Sequence, residues 1–325
     1  MSVRALTRSQ PLEAFRHEAL LYAGETDFLA RTMPFIRGAV AASEPVLVVV
    51  SAAKIDRLRA GLDGDADAVC FADMAEVGAN PARIIPRWRE FVAEHADADH
   101  PVRGIGEPVW RGRSPAELVE CQRHEALLNV AFAGAPAWWL LCPYDTEALD
   151  PAVVDEAHRS HPFIMQAGAQ RDSTGYLGVE VAAAPFDASL PEPPGEPAEF
   201  LFGFGAGTLR ALRRFVSGHA ASVGLGVART ADLVLAVQEV AANSLRHGGG
   251  RGRLRVWRDT GALVCEIGDG GHIEQPLVGR EHPPLDQEGG RGLWLVNQLC
   301  DLVQLRSFPT GTIVRLHMWR REPLS

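Results

Sequence analysis

A proline-rich segment, Ala184 to Phe200, separates two regions of this chain that carry different sequence patterns. The segment contains five prolines and several acidic residues, and it interrupts the apolar periodicity on both sides. Prolines at this density favour a short, semi-rigid linker. A chain of 325 residues also exceeds what one hydrophobic core usually organises, because domains cluster near about 100 to 150 residues. We therefore predict two domains, residues 1–183 and 201–325, joined by a linker at residues 184–200.

The first region alternates short apolar runs with helical patterns. The runs, such as PVLVVVS, AVCFAD and AWWLLCPYD, are rich in β-forming residues, and amphipathic spacing lies between them. The predicted helices are Glu25–Ala42, Ala52–Leu62, Asn80–His95 and Ser114–Phe132, the last opening with the Ser-x-x-Glu pattern of a capping box. This alternation is typical of a parallel α/β sandwich, in which helices cover both faces of the sheet.

The second region has a different order of elements. Two predicted helices, at about Thr208–Val223 and Ala231–His247, precede the apolar runs LRVWR, ALVCEIGD and TIVRLHMWR. Helices followed by strands of this kind predict an α/β sandwich with a mixed, mostly antiparallel sheet, one face of which is covered by the helices. The fold class is therefore a two-domain α/β protein.

Composition and charge exclude several classes of protein. The content of 46% apolar and 22% charged residues is that of an ordinary globular chain. No run of about 18 apolar residues occurs, and the N-terminus lacks a signal-peptide pattern, so we expect a cytoplasmic protein with no membrane partner. The net charge of −9 is unevenly distributed: the residues from 199 on carry 15 arginines and 12 acidic residues, a charge of +3, so the residues before them carry −12. An acidic N-terminal region argues against nucleic acid as a ligand.

The cysteines and the single lysine exclude further kinds of binding site. The five cysteines are far apart, with no C-x-x-C pair, so neither a zinc motif nor a disulfide framework is predicted from their spacing. Lys54 is the only lysine, and no glycine-rich turn precedes it. A phosphate-binding P-loop is therefore excluded.

The helix ADLVLAVQEVAANSLRHG carries a polar stripe. Glu239, Asn243 and His247 lie four residues apart and so share one side of the helix, beside the apolar face. An amide oxygen on Asn243 suits Mg²⁺, which takes few protein ligands while it bridges phosphates. Glu239, one turn earlier, is placed to order or deprotonate a nucleophile that attacks a γ-phosphate.

Three further motifs follow the helix in a fixed order. Asp269 and Gly271 end an apolar strand, where the carboxylate can accept a hydrogen bond from a base amino group. The run EGGRGLWLVNQLCD then places glycines before an apolar helix, and such a start offers backbone N–H groups to a phosphate chain. A tight turn, Thr310 to Thr312, leads into the last strand.

This order of motifs resembles the nucleotide-binding boxes of the Bergerat ATPase superfamily, and EVAANSLRHG and GGRGLWLVNQLCD resemble in particular the anti-sigma-factor serine/threonine kinases. The resemblance spans about Phe204 to Arg320. It implies ATP and Mg²⁺ as cofactors, with Glu239 as catalytic base, Asn243 on the metal and Asp269 on adenine. The segment from Gly271 to Gly289 would form the ATP lid. The remaining residues that the resemblance assigns to nucleotide binding are His247, Gly271, Gly290, Arg291, Gly292, Leu293 and Thr312.

The same resemblance implies partners. Kinases of this family hold a sigma factor inactive and phosphorylate a serine or threonine of a small STAS-type antagonist, so a stress or developmental regulator is expected. Two alternatives stay open: a regulator that binds ATP without turnover, and a sensor histidine kinase with His124 of a His-Glu pair as phosphoacceptor. A homodimer is also left open.

The N-terminal region, about Arg16 to Phe163, resembles the MEDS sensory domain through FRHEALLY, GEPVWRGRSPAELVECQRHEALLN and CPYD followed by HRSHP. That family looks like a RecA core that has lost its phosphate loop, which agrees with the missing motif at Lys54. A small-molecule signal is implied. The candidate pocket residues, expected to converge at strand ends, are His17, Glu107, Arg111, Glu120, His124, Cys142, His158 and His161.

Two histidines with a cysteine or carboxylate from this set could also hold a metal ion. The preferred interpretation is that Cys142 is a core thiol on an apolar strand and that the histidines are capping or surface residues.

Overall fold

The computed structural model describes residues 14–96, 101–176, 178, 188–283 and 290–320. Residues 184–187 of the predicted linker and Gly289 lie outside the described residues. The chain divides into two compact units, one of residues 1–78 and 87–184 and the other of residues 79–86 and 185–325.

A seven-stranded sheet organises the first unit. Its strands are β1 (Arg16–Tyr22), β2 (Val46–Val50), β3 (Val69–Asp73), β4 (Val102–Gly106), β5 (Trp138–Asp145), β6 (Phe163–Gln166) and β7 (Ala169–Asp172). They lie in the order β3-β2-β4-β5-β1-β6-β7, and all neighbours pair in parallel except β6 and β7. The predicted parallel α/β domain is confirmed. The antiparallel edge strand β7 has no buried residue and therefore no apolar alternation to reveal it.

Helices connect these strands, and most begin at a residue that the sequence marks. They are α1 (Gly24–Ala41), α2 (Ala52–Leu62), α3 (Met74–Val77), α4 (Ile84–His95), α5 (Pro115–Ala131) and α6 (Pro151–Ser160). The Ser114 capping box is formed, with Ser114 and Glu117 bonding each other's backbone N–H. The helix predicted from Asn80 starts instead as a 3-10 turn at Pro81–Arg83, where Asn80 accepts a hydrogen bond from Ala82 N.

The two faces of the first sheet differ in chemistry. Neighbouring residues of a strand point to opposite faces, so Leu20 and Tyr22 of β1 join the apolar core that includes Phe28 of α1 and Leu58 of α2. His17 points to the opposite face, which α5 covers. A polar group is thereby enclosed on that side of the sheet.

Among its described residues from 188 on, the second unit pairs three helices with a five-stranded sheet. Its elements are β8 (Ala198–Gly203), α7 (Thr208–Ser222), α8 (Val227–His247), β9 (Arg251–Asp259), β10 (Ala262–Asp269), α9 (Arg291–Leu299), β11 (Leu302–Phe308) and β12 (Gly311–Trp319). The sheet order is β11-β12-β10-β9-β8, and every one of these pairs is antiparallel. Apolar residues of α7 and α8 pack with those of the sheet in one core. The predicted helix-covered, antiparallel architecture is confirmed.

Two boundaries in this unit differ from the prediction. Helix α8 begins at Val227 rather than Ala231. The prediction missed its first turn because that turn is largely exposed and carries no apolar stripe. Strand β8 begins at Ala198, inside the predicted linker. Strand β8 pairs with β9 through backbone hydrogen bonds. The proline content of the segment therefore does not prevent its last residues from joining the sheet.

The face of this sheet opposite α7 and α8 carries a buried ion cluster. Glu266 is 3% exposed and accepts hydrogen bonds from Arg255 and from Arg315, whose Nε lies 2.8 Å from Glu266 Oε2. The described end of the predicted linker extends the cluster, since Arg315 donates to Pro191 O at 2.7 Å and Arg255 to Glu192 Oε2 at 2.8 Å. This part of the segment therefore packs on the sheet.

Removing the α5 cap should destabilise the first unit. Ser114→Ala deletes the side-chain acceptor for Glu117 N, so we expect the free energy of unfolding to fall by about 1 kcal/mol in urea denaturation. Ser51→Ala is the matched control, because Ser51 precedes α2 without making a side-chain cap bond. Equal losses for the two variants would contradict the cap.

Candidate functional site

Glu239 and Asn243 lie one turn apart at the edge of the buried face of α8. Both are half-buried, whereas His247, one turn further on, is exposed. The start of α9 faces the pair: a Cβ at Gly292 would lie 3.2 Å from Glu239 Oε2 and 3.2 Å from Asn243 Nδ2. Because glycine lacks that atom, the first turn of α9 closely approaches both polar side chains.

Asp269, at the end of β10, is held by two hydrogen bonds. Ser244 Oγ donates to Oδ2 at 2.6 Å, and the backbone N–H of Gly271 donates to Oδ1 at 2.8 Å. Each carboxylate oxygen keeps a further lone pair, so Asp269 can still accept a hydrogen bond from a ligand. Ser244 was not among the predicted site residues. The available signal was a hydroxyl inside the apolar stripe of α8.

A chain of hydroxyls extends this network to the neighbouring strands. Thr312 Oγ1 donates to Gly271 O at 2.8 Å and lies 2.8 Å from Ser307 Oγ, which in turn accepts from Ile273 N at 2.7 Å. Thr312 also pairs with Asp269 across β10 and β12. Ser307 was missed because β11, its strand, was not predicted.

Glycines allow the backbone to close around Asp269. A Cβ at Gly248 would lie 2.4 Å from Asp269 Cγ, and one at Gly311, where φ is +148°, would lie 2.4 Å from Asp269 O. A Cβ at Gly271 would lie 2.9 Å from His247 O. The end of α8 and the turn before β12 therefore both press against the aspartate.

The start of α9 has the features of an anion site. Its N-cap, Gly290, adopts a left-handed φ of 78° and makes no side-chain cap bond. Backbone N–H groups of an uncapped first turn carry partial positive charge and attract phosphate. The next residues are the exposed Arg291 and the half-buried Leu293.

The described part of the predicted lid, residues 271–283, makes defined contacts. Asn297 Nδ2 of α9 donates to Gly279 O at 2.8 Å, and a Cβ at Gly279 would lie 3.0 Å from that amide nitrogen. Ile273 is held by Ser307, as above. This half of the segment is thereby anchored to α9 and β11.

The eight residues predicted for a sensory pocket do not converge on one site. Three of them, His17, Cys142 and His161, come together with Glu125, which was not predicted. Both histidines are buried, 1% and 0% exposed, so neither is a surface residue. His161 is the C-cap residue of α6, and Cys142 is a buried thiol on β5, as the preferred interpretation expected for a capping histidine and a core cysteine. Of the other predicted residues, Glu120 and His124 are buried on α5, His158 is half-buried on α6, and Arg111 is exposed.

Glu107 lies at the opposite end of β1 from His17, beside Tyr22. Tyr22 OH donates to Glu107 Oε1 at 2.6 Å, and Lys54 Nζ lies 2.7 Å from Oε2. Burial raises the pKa of Glu107, and the opposing charge of Lys54 only partly offsets this. Because Tyr22 follows His17 by five strand residues, the two polar sites are about 16 Å apart. The sole lysine is thus an ion-pair partner.

The position of His124 bears on the histidine-kinase alternative. Its side chain is 1% exposed within α5. A phosphoacceptor must reach the γ-phosphate of a nucleotide on another domain, and a side chain enclosed in a helix-sheet core lacks that access. The burial of His124 therefore argues against the histidine-kinase alternative.

A parallel α/β unit and a second unit with a glycine-lined polar site define a two-domain α/β protein. Residues 16–162 match the family described as MEDS, the methanogen/methylotroph, DcmR sensory domain. Residues 205–318 match the histidine kinase-like ATPase domain. The chain thus joins a MEDS domain to a histidine kinase-like ATPase domain, a fold that implies nucleotide binding.

Among solved structures, the chain is similar to the RsbU and RsbW domains of Rv1364c from Mycobacterium tuberculosis. The identity is 18% and the TM-score 0.31, over 40% of this chain and 34% of that one. The similarity therefore spans about a third of that protein chain. No curated protein matches this chain. None of the helices that the structure describes is long and apolar enough to cross a membrane.

The packing around Asp269 leads to a stability prediction. Gly248→Ala places a methyl group against the carboxylate and should lower the free energy of unfolding by about 1 to 3 kcal/mol, measured by thermal or urea unfolding. Gly218→Ala on α7 is the control, because its Cβ meets nothing within 4 Å and alanine favours a helix. An unchanged free energy of unfolding in Gly248→Ala would contradict the close packing of Gly248 against the Asp269 carboxylate.

Proposed function

We propose that the C-terminal domain binds Mg-ATP and is a serine/threonine kinase of the anti-sigma type, regulated by the N-terminal MEDS domain. The observation that carries the proposal is the apposition of Glu239 and Asn243 to Gly292. A carboxylate and an amide meet the start of α9 there, where Gly292 has no side chain and the N-cap Gly290 makes no side-chain cap bond.

Asp269 supports the adenine end of the proposed site. Its two hydrogen bonds, from Ser244 and Gly271, fix the carboxylate while leaving a lone pair on each oxygen for an exocyclic amine. Thr312 fixes Gly271 in turn, and the absence of a Cβ at Gly271 lets its backbone pack against His247 O. His247, exposed at the end of α8, borders the same region.

The phosphates would then lie along the start of α9. The N–H groups after Gly290 and the exposed Arg291 supply positive charge, and Gly292 and Leu293 bring that turn over α8. Asn243 has the hard amide oxygen that suits Mg²⁺ and stands next to Gly292, so the residues present fit a metal-bound triphosphate. Mg²⁺, when bound, neutralises charge on the β- and γ-phosphates.

Glu239 is the proposed base. It stands one turn from Asn243 on the same side of α8, and its Oε2 faces the start of α9. From there the carboxylate can orient a substrate hydroxyl towards the γ-phosphate and accept its proton. Only this residue distinguishes a kinase from a domain that binds ATP without transferring phosphate.

The partners follow from the resemblance to anti-sigma-factor kinases. A sigma factor would be held by the C-terminal domain, and a serine or threonine of a STAS-type antagonist would receive the phosphate. A small-molecule signal would act through the MEDS domain.

Two substitutions on α8 should separate binding from catalysis. Asn243→Ala should weaken Mg-ATP binding at least about tenfold by calorimetry, since the metal loses its protein ligand. Glu239→Gln should bind Mg-ATP about as well as the unmodified chain. It should, however, transfer labelled γ-phosphate to the antagonist about 100-fold or more slowly. The antagonist would be isolated by pull-down from the native cytoplasm.

Asp232→Asn is the matched control, because Asp232 lies on α8 two turns before Glu239. It should alter neither quantity. An unmodified chain that fails to bind Mg-ATP would overturn the whole proposal. Binding without transfer, together with partner affinity that still depends on ATP, would favour the ATP-dependent regulator without turnover.

A further inference from the structure

The first unit encloses a cluster of four metal-ligand side chains that the proposed function does not use. They are His17 of β1, Glu125 of α5, Cys142 of β5 and His161, which follows α6. Each is at most 1% exposed, and one donor atom from each lies within 4.8 Å of all the others. Elements far apart in the sequence therefore direct polar groups to a single buried point.

Hydrogen bonds outside the cluster fix the tautomers of both histidines. Asn129 Nδ2 donates to Ser160 O at 2.8 Å, so Asn129 Oδ1 is the atom that faces His17 Nδ1 at 3.1 Å. His17 Nδ1 must then carry a proton. His161 Nδ1 lies 2.9 Å from Ala157 O, a carbonyl that can only accept, so it is protonated as well.

Both Nε2 atoms consequently point inwards. His17 Nε2 lies 3.1 Å from Glu125 Oε2 and 3.4 Å from Cys142 Sγ, and His161 Nε2 lies 3.3 Å from the same carboxylate oxygen. If the imidazoles are neutral, these contacts set nitrogen lone pairs against a carboxylate. No residue in the described part of the chain supplies a hydrogen bond to His161 Nε2 or to Glu125 Oε1.

Every member of the cluster is at most 1% exposed, so water screens neither the carboxylate of Glu125 nor the inward-facing nitrogens. Buried charge and unpaired polar atoms are costly unless an opposite charge balances them. A positive charge at the centre of the cluster would remove this conflict.

We propose that His17, Glu125, Cys142 and His161 bind a divalent transition-metal ion of the Zn²⁺ class. Around a tetrahedral Zn²⁺ with bonds of about 2.0 to 2.3 Å, ligand atoms lie about 3.3 to 3.8 Å apart. The contacts of 3.1, 3.3 and 3.4 Å fall close to this range. Imidazole, thiolate and carboxylate ligands together suit Zn²⁺ and its neighbours rather than Mg²⁺ or Ca²⁺.

Charge and surroundings agree with this assignment. A thiolate and a carboxylate neutralise a divalent ion, so the buried site carries no net charge, and binding releases the thiol proton of Cys142. Asn129 and Ala157 O hold the two imidazoles from behind, as outer hydrogen-bond partners of metal-binding histidines do. The ion would tie β1, β5, α5 and the end of α6 together.

Cobalt offers a direct optical test on the full chain. Protein stripped of metal with a chelator and then dialysed would be titrated with Co²⁺, in a Cys70→Ser background because Cys70 is exposed. We expect about one equivalent to give a thiolate-to-cobalt charge-transfer band and the strong visible bands of tetrahedral Co²⁺. One equivalent of Zn²⁺ should abolish both. Absence of the charge-transfer band would overturn the proposal.

Cys142→Ser should eliminate the charge-transfer band, and Asn129→Ala should weaken Co²⁺ binding about 10- to 100-fold while keeping it. Cys121→Ser is the matched control, since Cys121 is an equally buried thiol outside the cluster and should bind Co²⁺ normally. A band that survives in Cys142→Ser would overturn the assignment. If that variant does not fold, X-ray absorption of the zinc-loaded chain decides: one sulfur and three nitrogen or oxygen ligands are expected, and a sulfur-free shell contradicts the site.

Discussion

The C-terminal domain depends on the close approach between the end of α8 and the end of β10. Gly248 and Asp269 meet there with no space for a Cβ, and Ser244 bonds the aspartate from within the helix. This contact sets where α8 lies on the sheet. It therefore also sets where Glu239 and Asn243 lie relative to the start of α9. The positions of Asp269 and of the Glu239–Asn243 pair thus both depend on this one contact.

The N-terminal domain uses its sheet differently. Its core on the α1 and α2 side is apolar, whereas the α5 side encloses charged and nucleophilic groups. Where a P-loop protein would hold phosphate near its lysine, Lys54 instead neutralises the buried Glu107. The metal-ligand side chains of this domain are instead grouped around Glu125, away from the carboxyl ends of the strands.

Sequence patterns predicted the helices and strands best where the apolar periodicity agrees with residues that mark the start or end of an element. Helix α2 at Ala52–Leu62 and strand β10 at Ala262–Asp269 match to the residue, since a serine precedes the first and an Asp-Gly turn ends the second. Strands β6, β7, β8 and β11 were not predicted. Strand β6 has only four residues, and those of β7 are exposed. Strand β8 begins within a proline-rich segment, and β11 alternates apolar residues with buried Gln304 and Arg306. Such strands depend on their neighbours in the sheet.

The sequence by itself determined the two-domain α/β architecture and the order of polar and glycine motifs from Glu239 to Thr312, because both are periodic or local along the chain. Only the tertiary structure decided which residues meet. It added Ser244 and Ser307 to the network of Asp269, separated Glu107 from His17, and joined Glu125 to His17, Cys142 and His161. These contacts span up to about 144 residues and arise from strand register and helix packing, which no local spacing encodes.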